Sequence, residues 1–315
     1  RKTKTEDHRE GGKPMSFIIE SLGASTIRMG TIYIIAALGG NLAEKSGLLN
    51  LTIEGNMLIS AFFAVLVSHF TGSALYGVLA ALLVGALFAL CYGFTVITAK
   101  SDQMISSLAF NMFSAGITSY LLIYYFRSPG ATPRVAAIPA YGIPFLKDIP
   151  IVGSIFFNQS PIVYLAMMLI GVTHFVLYYT KFGLRIQSVG ENPVAASTVG
   201  VNVRRIRYLA MLVAGLFAGL AGAYLSISLS SQFVKNMTAG RGYIALSTII
   251  VGKHKPVNIA LAALLFGFCE ALQIRLQLFR LPGQFVQMIP YVVTILVISF
   301  FIGQDDSISA IGQPF

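Results

Sequence analysis

Charge is what this sequence has least of. Only 11% of its 315 residues are charged while 56% are hydrophobic, so there is too little polar side chain to cover a water-soluble globule. That excludes a soluble domain of any fold. Cysteine is scarce too. Cys91 and Cys269 both fall in apolar stretches, where a thiol acts as a small hydrophobe, and they form neither a disulfide framework nor a metal-ligand spacing. The nearest approach to a phosphate-binding loop, Gly40-Asn-Leu-Ala-Glu-Lys-Ser, lacks the second glycine before its lysine and cannot cradle a phosphate. No His/Asp/Ser triad and no cluster of metal ligands is legible, so the chain is not read as an enzyme and no cofactor or metal is expected on it. Acidic residues are outnumbered 12 to 22, for a net charge of +10. That excess does not spell nucleic-acid binding, because five of the basic residues lie in the first 13 positions and most others flank apolar runs.

What is present is a series of apolar runs. Residues 73–99 carry no charge at all, which exceeds the ~20 residues needed to cross a bilayer. Similar runs occupy 53–70, 104–126, 161–180, 208–230, 257–272 and 285–302, with a weaker one at 16–39 that contains Glu20 and Arg28. The stretch 240–252 is too short to span alone and reads as a broken helix. The expectation is an all-α polytopic membrane protein of about nine membrane segments, some broken or re-entrant. Residues 1–14 read as a disordered basic tail, with Met15 a candidate native start, and 15–315 as one transmembrane domain. Small residues recur every fourth position in two runs, Gly77, Ala81, Gly85, Ala89 and Gly93 in one and Gly215, Gly219 and Ala223 in the other, a pattern that lets helices approach closely.

A polar loop, 181–207, interrupts these runs. Within it GENPVAASTVGVNVRRIR (190–207) reads as a capped helix of about two turns: Asn192 is a good N-cap, Pro193 suits the first helical position, and Gly200 can supply a left-handed stop. Lys181, Arg185, Arg204, Arg205 and Arg207 crowd around it, which places the loop in the cytoplasm. Counting spans from there puts 127–160 outside, Lys253, His254 and Lys255 inside, and requires the first span to start outside, against the pull of the basic tail.

Polar side chains inside a membrane are expensive and usually face a cavity or a partner. Asn50, Glu54 and Asn56 open the second run, and the residues from Ser46 to Gly55 read as non-helical backbone entering the bilayer. Glu54 either lines a translocation path or is a clasp that pins this turn. Asn111 lies mid-span near Ser107 and Ser114; Glu270 and Gln273 end another run on one face, where they meet a cargo or pair with Arg275. Phe62, Phe110 and Phe113 could stack on a base, although in a chain with 23 Phe such residues more often pack in a core or face lipid. His69 and His174 read as packed or interfacial, and Asp102 as a helix N-cap.

Three blocks, ALGGNLAEKSGLLNLTIEGNM (37–57), GLRIQSVGENPVAASTVGVNVRR (183–205) and 236–273 with NMTAGRGYIAL and ALLFGFCEALQ, together resemble the integral-membrane permeases of bacterial ABC importers for simple sugars, nucleosides and branched-chain amino acids, most closely the purine nucleoside branch. The resemblance covers nearly the whole chain from Met15. It implies a type II-like importer permease in the bacterial plasma membrane that moves nucleosides, or alternatively simple sugars. The implied partners are an ATP-binding subunit that holds the ATP and Mg, a second and non-identical permease, and an extracytoplasmic substrate-binding lipoprotein. It further implies that Gly190, Glu191, Asn192, Pro193, Ala195, Ala196 and Gly200 couple to the ATPase, with small Ala195 and Ala196 suiting close docking and Glu191 and the basic cluster meeting charges at a rim. Rival readings are a stand-alone secondary transporter, whose interrupted helices would house its sites, a membrane scaffold, and an intramembrane enzyme using Glu54 and Glu270 as an acid pair. A self-sufficient carrier has no need of the docking helix.

Overall fold

Apolar runs become helices because the bilayer offers no water to backbone N–H and C=O groups, which must then be satisfied within the segment. The computed structural model describes residues 15–142, 155–277, 288, 292–296 and 299. The tail 1–14 and most of the predicted run 285–302 lie outside the described residues. In chain order the elements are α1 (Met15–Lys45), α2 (Ile53–Thr71), α3 (Ala74–Gly93, continued as a π-helix over Phe94–Thr98) and α4 (Gln103–Phe126). A two-residue ladder, β1 (Tyr141–Gly142) antiparallel to β2 (Asn158–Gln159), then precedes α5 (Pro161–Tyr179), α6 (Lys181–Glu191) and α7 (Pro193–Thr198). The chain goes on through α8 (Val203–Ala223, with a π-helix over Tyr224–Ser230), α9 (Arg241–Val251) and α10 (Pro256–Leu276).

Among the described residues seven helices are long and apolar enough to cross a membrane. With 11 residues, α9 reaches only about 16 Å and cannot span the ~30 Å hydrocarbon layer. The boundaries fall close to the apolar runs, with one informative exception. The sixth span begins at Val203 rather than near Tyr208, because Asn202 caps it by accepting from Arg205 N at 3.0 Å. Arg204, Arg205 and Arg207 are therefore helical. The predicted short helix, capped by Asn192 and opened by Pro193, is α7, ending at Thr198, and Gly200 is left-handed with φ 82°. The helix α6 before it was not anticipated.

Apolar on nearly all sides, α1 sits in the middle of the bundle, as such a helix must. Ile32, Ile35, Ala37 and Leu38 are fully buried, and the helix packs chiefly against α10 and α8. The two small-residue stripes meet each other. A Cβ on Gly85 would lie 2.5 Å from the Gly215 carbonyl, and one on Gly219 2.5 Å from the Ala81 carbonyl, so α3 and α8 touch backbone to backbone.

The ends of α1 orient the molecule. Near its start, Gly23 lies against Ile155 and Arg28 Nε donates to Gln159 Oε1 at 3.1 Å, at the level of the 127–160 loop. Its last residue, Lys45, has its carbonyl against Gly190. The first helix thus runs from that loop toward the polar loop, the direction that span counting requires, and Arg28 finds an amide partner in Gln159.

Candidate functional site

Between α1 and α2 the chain leaves helical geometry over 46–52. This segment climbs alongside α4, whose side chains satisfy its backbone. Leu49 N donates to Gln103 Oε1 at 2.7 Å, Asn111 Nδ2 donates to the Leu51 carbonyl at 3.0 Å, and Ser114 Oγ donates to the Gly55 carbonyl. From Gln103 to Ser114 is about 16 Å along a helix, so α2 starts deep in the protein. Asn111 does double duty there: Oδ1 accepts from Gly55 N at 2.9 Å and Nδ2 also donates to Tyr243 Oη at 3.0 Å.

The start of α2 meets the start of α9. Glu54 Oε1 accepts from Gly240 N at 2.8 Å and Oε2 from Gly242 N at 2.7 Å, taking two of the N–H groups that a helix start leaves free. Gly240 caps α9 in the left-handed region, φ 86°. Gly242 has no room for a side chain, since a Cβ would lie 2.5 Å from Glu54 N. Beside them Arg241 pairs with Glu270, Nε to Oε1 at 2.9 Å, while Tyr33 Oη donates to Oε2 at 2.5 Å and Arg241 NH1 donates to the Met237 carbonyl at 2.7 Å. Two carboxylates and one guanidinium sum to a single negative charge. The N-termini of α2 and α9, worth about half a positive charge each, offset it.

This cluster gathers Glu54, Asn111 and Glu270 of the expected path residues and adds Tyr33, Arg241 and Tyr243, which the sequence reading missed. The available signal was Arg241, an arginine in an apolar setting that had to find a carboxylate. The carboxylate of Glu270 is held by Arg241 and Tyr33, not by Arg275. Asn56 is buried away from the cluster, its Nδ2 donating to the Gly85 carbonyl at 3.1 Å. Asn50 is also buried and accepts from Thr52 Oγ1 at 2.6 Å. Gln273 lies one turn beyond Glu270 and is half-buried. The acid-pair alternative meets one carboxylate neutralised by an arginine and another saturated by backbone. Phe62 is core, fully buried edge-on to Phe63 and Phe233, and Phe110 packs edge-on to Phe88 and Tyr92. Phe113 is exposed, His69 packs on Phe70 and Phe126, and Asp102 caps α4, accepting from Ile105 N at 2.9 Å.

In the polar loop, Asn192 accepts from Ala195 N at 2.9 Å and opens α7 with Pro193 at its first position. Glu191, Asn192, Ala195 and Gly200 are exposed, whereas Ala196 and Gly190 are buried. Ala196 joins Leu42, Ile186, Val189 and Val203 in a small core, so it supports α7 from beneath rather than facing outward. The outward face instead presents Val194, 62% exposed, and Val199, 78% exposed. Arg207 departs from the surface cluster. It is 2% exposed, and its Nε donates to the Ser46 carbonyl at 3.3 Å. With Gly190 packed on the Lys45 carbonyl, the loop therefore rests directly on the turn that leads to Glu54.

A bundle of apolar spans around a half-buried polar cluster, carrying short capped helices at one face, is the build of a membrane permease. Residues 23–298 match the family described as branched-chain amino acid transport system / permease component, and the chain belongs to it. It is a multi-pass protein of the bacterial plasma membrane. It is 38% identical to the guanosine ABC transporter permease protein NupQ of Bacillus subtilis, over 95% of this chain and 97% of the relative. It is 32% identical to the nucleoside ABC transporter permease protein NupC of Lactococcus lactis, over 91% and 93%. A putative glucose ABC transporter permease protein of Haloferax volcanii, TsgC13, is 33% identical over 93% and 95%. No solved structure matches the chain.

Proposed function

We propose that this chain is a membrane subunit of an ATP-driven importer of nucleosides, purine nucleosides foremost. The observation that carries the cargo is the 38% identity, spanning both chains almost end to end, to a guanosine permease. The chemistry of the interior agrees: amides, hydroxyls and a balanced charge cluster suit a neutral, hydroxyl-rich solute. A simple sugar is the second reading, favoured by the 33% identity to a putative glucose permease.

ATP hydrolysis, with its Mg, belongs to a separate subunit that docks on α7. Glu191, Asn192, Pro193 and Ala195, with Val194 and Val199, form the contact, and Gly190, Ala196 and Gly200 set its shape. A second, non-identical permease completes the path, and an extracytoplasmic lipoprotein delivers the cargo. Nucleotide binding draws the docking helices of the two permeases together, and each state is favoured by the ligand it binds better. Tyr243 and Gln273 offer side chains toward the path, and Asn111 holds Tyr243 there. Glu54, Glu270, Asn50 and Asn56 hold the broken helices that form its wall.

The test is uptake of radiolabelled guanosine in cells lacking this chain, with ribose, glucose and leucine in parallel. Selective loss of guanosine uptake, restored by the chain only beside an active ATPase, is the expected result. Loss of sugar uptake alone would move the cargo to the second reading. Uptake that needs this chain but survives ATPase inactivation would make it a stand-alone carrier.

A further inference from the structure

The loop that carries α7 also encloses a cavity of ≈ 500 Å³ between α6, the 199–202 turn and the first turns of α8, within the ~300–1,000 Å³ of small-molecule sites. Its lining combines two chemistries. Arg185 from α6 and Arg205 from α8 line it together with Asn202, and Phe182, Val199, Val201, Ile206 and Leu209 supply its apolar lining. Both arginines are exposed, and among the described residues neither guanidinium has a carboxylate partner. Leu209 is exposed as well and lies four residues, about 6 Å, further along the spanning helix α8.

We propose that this cavity binds the phosphate headgroup of an anionic phospholipid from the cytoplasmic leaflet. Two guanidiniums line one cavity, and each offers the N–H fork that phosphate oxygens accept best. The apolar wall then receives the start of an acyl chain. A carboxylate from a docked protein would satisfy the arginines and leave Leu209, exposed one turn further along the spanning helix, without a covering partner, so the lining favours lipid. Basic pockets at this level are a recurrent means of headgroup recognition. Bound there, the lipid bridges α6 to α8 at the foot of the docking loop. This inference rests on the membrane placement of the helices and is independent of the cargo.

The test is native mass spectrometry of the full chain, purified in mild detergent with the subunits it carries along, counting retained phosphatidylglycerol and phosphatidylethanolamine. The wild type should retain phosphatidylglycerol preferentially. Arg185→Gln with Arg205→Gln should lower its affinity about thirtyfold, which corresponds to about 1 kcal/mol for each basic residue at an anionic surface. Arg204→Gln, which does not line the cavity, should leave retention unchanged. If the double variant melts early, Arg185→Lys with Arg205→Lys takes its place and should lose less, since charge remains while the fork is gone. Equal retention in all variants overturns the proposal. So does unchanged lipid retention with loss of the ATP-binding subunit, which would assign the arginines to that partner, and so does displacement of the lipid by inorganic phosphate alone, which would make this a free-anion site.

Discussion

Arg207, buried in the first turns of α8, donates to the carbonyl of Ser46 at 3.3 Å. Ser46 begins the non-helical segment that rises along α4 to Glu54, and Glu54 holds the start of α9. The polar loop is thus in contact with the segment that leads to the cluster, with Gly190 on the Lys45 carbonyl as a second contact.

The exposed apolar face of α7 is expected to matter more than its small residues. Val194→Asp should leave insertion and thermal stability unchanged while separating ATP hydrolysis from uptake. Ala196→Leu should instead overpack the core it shares with Leu42 and Ile186, costing about 1–3 kcal/mol. Uptake, ATPase rate and melting temperature of the two variants, compared side by side, check the distinction.

Glu54→Gln should act chiefly on folding. An amide offers one acceptor oxygen where the carboxylate has two, so either Gly240 N–H or Gly242 N–H is left facing an NH₂ group. A buried donor without an acceptor costs about 1–3 kcal/mol. The expected result is a lower melting temperature with the ATPase still bound. Unchanged stability with lost uptake would make Glu54 a path residue instead.

Arg241 and Glu270 form a pair that is mostly shielded from solvent, so removing one partner should harm more than removing both. Arg241→Met or Glu270→Met alone is expected to cost about 3–5 kcal/mol, and the double variant should be more stable than either. A double-mutant cycle on melting curves gives the coupling.

Gly85→Ala should disturb the α3–α8 contact, because the added carbon would lie 2.5 Å from the Gly215 carbonyl. A loss of about 1–3 kcal/mol is expected. Gly116→Ala in α4 is the control, since nothing lies within 4 Å of its position. Thermal unfolding in detergent distinguishes them.

How much was legible in advance differs by kind of feature. The run 161–180 became Pro161–Tyr179 and the run 53–70 became Ile53–Thr71, because satisfying backbone groups in lipid is a local requirement. Caps were local too: Asn192, Asp102 and left-handed Gly200 act within four residues of themselves. The core position of Phe62, the burial of Ala196 and the withdrawal of Arg207 from the surface depend on which side of a helix its neighbours cover, and a one-dimensional pattern does not carry that.

The sequence by itself thus determined a membrane protein, the approximate ends of its spans, the polar loop with its capped short helix and the family resemblance. Only the tertiary structure decided what the polar residues do. Glu54 finds Gly242 across 188 positions and Arg207 finds Ser46 across 161. A buried charge must find a partner, but only the packing of helices against one another selects which partner comes within 3 Å or so.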